Sequence, residues 1–306
     1  MELYSKQFLN PGDKYTDFQS AAVAILPVPY EGGISYGGGT AMGPDAVLEA
    51  SYQLEFYDET LGCEPFRMGI ATVMPPEVSN NSEKMQASIY DCARLLIREN
   101  KFVVMLGGDH SVTTGYYKAL QEKFGQLSVI QLDAHADLRD TYQQDRLSHA
   151  CVMARLKEFT KNILQIGIRS MSIEEAGIIE AEHLQVYTMA DYRKPGFNID
   201  TLIDNLPDPV YLTLDVDVFD WSVIRSTGTP EPGGFLWQEA LDLLYKIFMK
   251  KNVVGFDVVE VAYNKHDQNS VFAVAKIIYK MLGFKLAYYL KKEITVWPEQ
   301  PKGALF

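Results

Sequence analysis

Short apolar runs alternate along most of this chain with stretches of helical period. Strand-like runs fall at 21–26, 102–106, 127–132, 163–168, 210–214 and 253–258. Several, such as FVVML, are continuously apolar, which is the pattern of strands covered by helices on both faces. Between them, helical spacing marks 82–99, 113–124, 148–158, 173–181 and 237–250. Strand and helix in alternation predict an α/β protein with a parallel sheet. No repeat, low-complexity tract or Pro/Ser linker breaks the pattern. Residues 1–306 are therefore expected to form a single domain of three layers, helix on sheet on helix.

Composition narrows the partners. A net charge of -12 argues against a nucleic-acid binder, which needs a positive face. It suits metal ions or a cationic substrate, although acidity for solubility alone accounts for many chains. Cys63, Cys92 and Cys151 form no close pair, and the N-terminus carries no basic-plus-apolar leader. No apolar run reaches the roughly 18 to 20 residues of a membrane helix. The expectation is a cytoplasmic protein with no membrane partner.

The chemistry sits at strand ends, where open α/β sheets bind ligands. One run ends in Asp109 and His110, the next in Asp133, His135 and Asp137. A third ends in Asp215 and Asp217, and the last in Asp257 and Glu260. Residues two apart on extended chain point the same way, so the alternating positions are expected to converge. Carboxylates brought together repel unless a proton or a cation intervenes. Four Asp and two His exceed what protons settle comfortably, whereas two divalent ions balance four carboxylates. Oxygen-rich ligation with some imidazole favours Mn²⁺ over Zn²⁺ and leaves Co²⁺, Ni²⁺ and Fe²⁺ open. Any one of these residues alone would be an ordinary cap or core residue; their succession on neighbouring strands is the signal. Gly37 to Gly39 lack the GKS/GKT of a phosphate loop. His183 and His266 belong to no motif and read as structural. A Cys151–His149 dyad is unneeded where metals supply the nucleophile.

GGDHS at 107–111, DAHADLRD at 133–140, SHACVMAR at 148–155, LTLDVDVFD at 212–220 and GTPEPGG at 228–234 together resemble the ureohydrolase (arginase/agmatinase) family, and agmatinases most. GFDVVEV at 255–261 and the early LPVPYEGGISYGGGTAMGPDAV extend the likeness over nearly the whole chain. The resemblance implies an arginase-like three-layer α/β/α sandwich with a central, mainly parallel sheet of about eight strands. It implies two Mn²⁺ per chain. His110 and Asp137 would hold one, His135 and Asp217 the other, and Asp133 and Asp215 would bridge them. Hydroxide generated at the pair would attack a guanidinium carbon and release urea and an amine. His149 matches the proton-shuttling His and Glu260 the acid that meets the guanidinium. Asp109 and Asp257 fit supporting roles behind the ligands. A homo-oligomer, trimer or hexamer, is the family's usual state.

The loop LRDTYQQDRLSH lacks the Asn/Ser pattern with which arginases hold a carboxylate. Asp140 and Asp145 there, with Thr229 and Glu231 in GTPEPGG, are expected at the cleft mouth, where acids favour a cationic tail. That puts agmatine first, giving putrescine and urea. 4-Guanidinobutyrate, arginine, guanidine and aminopropylagmatine stand as alternatives. Trp221 follows Asp220 where relatives often have Pro, which makes the 220–227 loop unusual and touches the substrate question. From other classes, a dinuclear phosphoesterase lacks its Asn-His motif here, and a non-catalytic metal-binding relative would be expected to lose some of these residues.

Overall fold

The computed structural model describes residues 1–292. Eight strands form one parallel sheet: β1 (Val23–Val28), β2 (Ile70–Thr72), β3 (Phe102–Gly107), β4 (Ser128–Leu132), β5 (Ile163–Ile168), β6 (Gln185–Thr188), β7 (Val210–Asp215) and β8 (Val253–Val259). Their order is β2-β1-β3-β8-β7-β4-β5-β6. The chain thus leaves a two-strand gap between β3 and β4 and later fills it with β7 and β8. Register keeps the strand ends level: Leu106 pairs with Val258, Val258 with Leu214, and Leu214 with Leu132.

Because the strands between the two edges are covered on both sides, alternate residues feed two cores. On one face Ile25, Val104, Ile130, Leu212 and Phe256 pack under helices Gly43–Ser51, Trp237–Lys250 and Gln268–Lys292. On the other, Ala24, Val103, Val129 and Tyr211 meet helices Ser82–Arg98, Thr113–Phe124 and Val152–Leu156. Removing this apolar area from water, at about 25 cal/mol per Å², is the main term holding the layers together. Asn81 caps the 82–98 helix by accepting Lys84 N–H at 2.8 Å, and Ser172 with Glu175 forms a capping box on Ile173–Glu182.

The six anticipated strands are present. The structure adds β2 and β6 at the two sheet edges, one only three residues long and the other incompletely buried, so neither has a strong pattern. The helical run expected to start at Pro44 is the Gly43–Ser51 helix, and the structure also adds the Gln268–Lys292 helix. The latter is apolar nearly all round, with Lys280 and Lys285 buried among its core residues, which hides the helical period. The helix expected over 148–158 is a 3-10 turn, His149–Cys151, followed by Val152–Leu156.

Candidate metal centre

The four central strands carry the site. His110 follows β3, Glu260 follows β8, Asp215 ends β7 with Asp217 just beyond it, and Asp133, His135 and Asp137 follow β4. The residues converge as expected but for another reason than alternation on extended chain. β4 stops at Leu132, Asp217 lies in a 3-10 turn, and Asp137 is left-handed at φ 51. Tight turns aim these side chains, and carboxylates lock the turns. Asp133 Oδ1 accepts from His135 N at 2.5 Å, Asp215 Oδ1 from Asp217 N at 2.9 Å, and Asp217 Oδ1 from Ala134 N at 2.9 Å. The Asp137 carbonyl accepts from Met153 N and Ala154 N at 3.0 and 3.2 Å, which holds a conformation an L-residue rarely adopts.

Two triads result: His110, Asp133 and Asp137, and then Asp133, His135 and Asp217. In each, one atom per residue lies within 4.8 Å of the others, and Asp133 is common to both. His110 Nδ1 lies 3.1, 3.0 and 3.4 Å from oxygens of Asp133, Asp137 and Asp215. His135 Nδ1 lies 2.8 Å from Asp217 Oδ2. Hydrogen bonding fixes what faces inward. Thr213 Oγ donates to Asp257 Oδ1 at 2.7 Å, so it accepts from His110 Nε2–H at 2.9 Å. A neutral ring would turn a bare Nδ1 lone pair onto three carboxylates, as a bound cation would require. Without one, burial pulls the ring down, but Asp133, Asp137 and Asp215 outweigh it and raise the ring well above its ordinary range. Buried His110 Nδ1 and Asp217 Oδ2 stand at contact distance from carboxylate and imidazole atoms yet make no hydrogen bond of good geometry. Such orphans are costly to a fold and are what a metal ligand looks like without its ion.

Electrostatics agree. Two carboxylates about 4 Å apart repel by about 4 kcal/mol at an effective dielectric of about 20. Metal-free, burial with Asp133 beside it raises Asp137 to about 7, and burial with Asp217 and Asp133 raises Asp215 well above its ordinary range. Burial pulls His135 down, but Asp217 and Asp133 outweigh it and raise the ring to about 12. Protons thus take the place that divalent cations would fill, and the donor set fits such ions.

A model of the arginase family matches residues 21–283. The chain belongs to the arginase family. It is a ureohydrolase, acting on guanidino compounds. An N(1)-aminopropylagmatine ureohydrolase of Synechocystis is 38% identical over 289 residues, covering 91% of this chain and 94% of the relative. An agmatinase of Pyrococcus horikoshii is 32% identical, covering 92% and 99%. Among solved structures, the agmatine ureohydrolase of Thermoplasma volcanium superposes with a TM-score of 0.84 at 28% identity, covering 95% of this chain and 97% of that one.

In this arginase-family chain a cavity of about 220 Å³ opens over the triads, lined by His110, His135, Asp137, Asp215, His149, Thr229 and Glu260. Glu260 is left-handed at φ 65 and accepts His110 N–H through Oε1 at 2.7 Å. Burial, with Asp109 nearby, raises its carboxyl well above the ordinary range. Asp257 lies under His110, buried, holding Thr213, Thr113 and Tyr211. Asp109 accepts from Gly32 N and Gly33 N and so ties down the 30–40 loop. Gly108 beside it allows that approach, because a Cβ there would collide with the Tyr30 carbonyl oxygen. Glu231 does not line the cavity, but its Oε1 lies 3.9 Å from His135 Nε2, which does. Asp140 is not brought to the cavity: it pairs with Arg155 at 2.6 Å and Arg146 at 3.2 Å. Asp145 caps Leu147 N at 2.8 Å instead of lining the cleft. A larger cavity of about 390 Å³, between Lys157, Lys161 and His183, is lined by none of the candidate metal ligands.

Several contributors carry no motif in the sequence. Gln131 Nε2 donates to Asp133 Oδ2 at 2.6 Å, and Gln165 Nε2 to Gln131 Oε1 at 2.5 Å. A glutamine inside an apolar strand was the available signal. Arg169 gathers the carbonyls of Asp217 and Glu231 at 2.5 and 2.8 Å and clasps two site loops. Ser35 and Tyr142 reach the site from distant loops, and Arg139 lines the cavity wall over the Tyr142 ring.

Proposed function

We propose that the chain hydrolyses a guanidino compound with a cationic tail, N1-aminopropylagmatine ahead of agmatine. The 38% identical relative carries this reading, because its name moves the aminopropyl substrate ahead of the order read from the residues alone. Two divalent cations would be held by His110 with Asp137 and by His135 with Asp217, bridged by Asp133 and Asp215. Manganese fits the oxygen-rich donors. When bound, the ions supply Lewis acidity that makes hydroxide available near neutral pH. Glu260 keeps Oε1 on His110 N–H, which leaves Oε2 for guanidinium N–H groups in a charge-assisted contact. Addition to the guanidinium carbon gives a tetrahedral centre. The bond to the tail nitrogen then breaks, urea leaves, and His149 provides the proton the amine needs. Burial, its largest influence, lowers this imidazole, so it gives up a proton readily.

Glu231 supports a cationic tail, whereas Asp140 and Asp145 no longer do. One observation favours a second substrate: Arg139, at the wall, would meet the carboxylate of 4-guanidinobutyrate. A homo-oligomer in the cytoplasm completes the proposal. The three cysteines are free, and among the described residues no helix is long and apolar enough to cross a membrane. Urea-release kinetics across these compounds test the tail. kcat/KM should rank aminopropylagmatine and agmatine above 4-guanidinobutyrate and arginine. A preference for either carboxylate would replace the cationic-tail reading with one centred on Arg139.

A further inference from the structure

The 30–40 loop is far from the metal-bearing motifs in sequence, yet it is built against them. Asp109 Oδ2 accepts Gly32 N and Gly33 N at 2.5 and 3.3 Å. Glu31 Oε2 accepts Gly39 N and Thr40 N, both at 2.6 Å. Gly37 N donates to the Gly228 carbonyl at 2.8 Å, so the loop is tied to the 228–234 segment as well. These anchors hold Ser35 over the cavity. Its hydroxyl lies 2.9 Å from His149 Nε2 and donates to the Tyr142 hydroxyl at 3.1 Å. The Tyr142 ring meets the imidazole edge-on, with centroids 5.5 Å apart.

We infer that Ser35, backed by Tyr142, is the positioning residue of the proton-shuttling imidazole. A hydroxyl has one proton. With that proton given to Tyr142, Ser35 Oγ accepts from His149 Nε2–H. The ring is then fixed in orientation and tautomer, and its second proton is exchanged at Nδ1. The imidazolium needs an acceptor at each nitrogen, so Ser35 stabilises the protonated form that a general acid requires. Tyr142 adds a second restraint from a different segment, which keeps the serine from turning away. The groups whose charges bear on the ring are Asp109 and Asp133, which favour its proton, and His110 and His135, which oppose it. Ser35 hydrogen-bonds to His149 and Tyr142 and to none of these groups, so its removal changes the ring through one hydrogen bond. Its neighbours Ile34 and Tyr36 are exposed, and the serine supports no core packing.

This inference rests on His149 being the shuttle, and the experiment separates the two. Ser35→Ala, Ser35→Thr, Tyr142→Phe and His149→Asn are compared in the full chain. His149 is followed by NMR in protein loaded with diamagnetic Zn²⁺, and kcat and KM are measured with Mn²⁺. Ser35→Ala should move the His149 titration to lower pH and reduce kcat about 10-fold, the equivalent of one charge-assisted hydrogen bond. KM should change little, and Ser35→Thr should restore both values. Tyr142→Phe should give a smaller shift of the same sign. An unchanged titration in Ser35→Ala overturns the inference, as does a rise confined to KM, which would make Ser35 a substrate contact. Full kcat in His149→Asn would instead remove the shuttle reading, whatever the titration shows.

Discussion

At the level of single residues, the sequence reveals charged groups and conceals their support. Asp133, His135, Asp137, Asp215 and Asp217 stand out because several acids follow apolar runs. Gln131, Thr213 and Ser35 do not stand out, since a lone polar residue has many uses and its partner is set by the fold. Thr213 illustrates the cost of missing them. It lies within β7, takes His110 Nε2–H and hands its own proton to Asp257. Partners of this kind commonly contribute 10- to 100-fold in metal affinity. Thr213→Val should therefore weaken metal binding by about that factor at the His110 side while preserving far-ultraviolet circular dichroism. Calorimetric titration checks it, and unaltered affinity would mean that Thr213 only fills space.

At the level of elements, the central strands were legible because continuous apolar runs mark two-sided burial. The edge strands and the Gln268–Lys292 helix were not, because length and periodicity fail there. The convergence of the ligands was anticipated from strand alternation but arises from turns beyond the strand ends, a geometry that hydrophobic pattern does not encode. Loops carry it, and Asp109 governs one of them. Its carboxylate, 1% exposed, faces Gly32 N and Gly33 N through one oxygen and Ser111 through the other. Asp109→Ala should release the 30–40 loop. Amide hydrogen exchange at 31–36 should then accelerate by at least about 10-fold, while the β3 amides remain protected. Equal exchange in both proteins would show that Glu31 and the Gly37–Gly228 bond suffice to hold it.

For the whole molecule, the metal centre couples stability to pH. The folded-state values of Asp137 and His135 lie above the ordinary 3.8 and 6.5. Although Asp133 and His149 shift the other way, at these two groups the folded metal-free chain therefore holds protons more tightly than the unfolded one. That contribution is full below the ordinary values and is lost as pH rises, from 3.8 to about 7 for Asp137 and from 6.5 to about 12 for His135. Metal-free protein should show a Tm that falls between about pH 6 and about pH 8, and saturating Mn²⁺ should flatten the slope because ions replace the protons. A metal-free Tm that rises over this range would contradict the charge balance assigned to the site.

If the centre works as a pair, urea release requires two ions per chain at the site shared through Asp133. The direct measurement is urea released from agmatine or its aminopropyl derivative as Mn²⁺ is titrated into metal-free protein. Activity should climb to a plateau that breaks at two equivalents per chain, with urea and amine formed in equal amounts. A plateau at one equivalent, or urea release that persists without metal, would contradict the account.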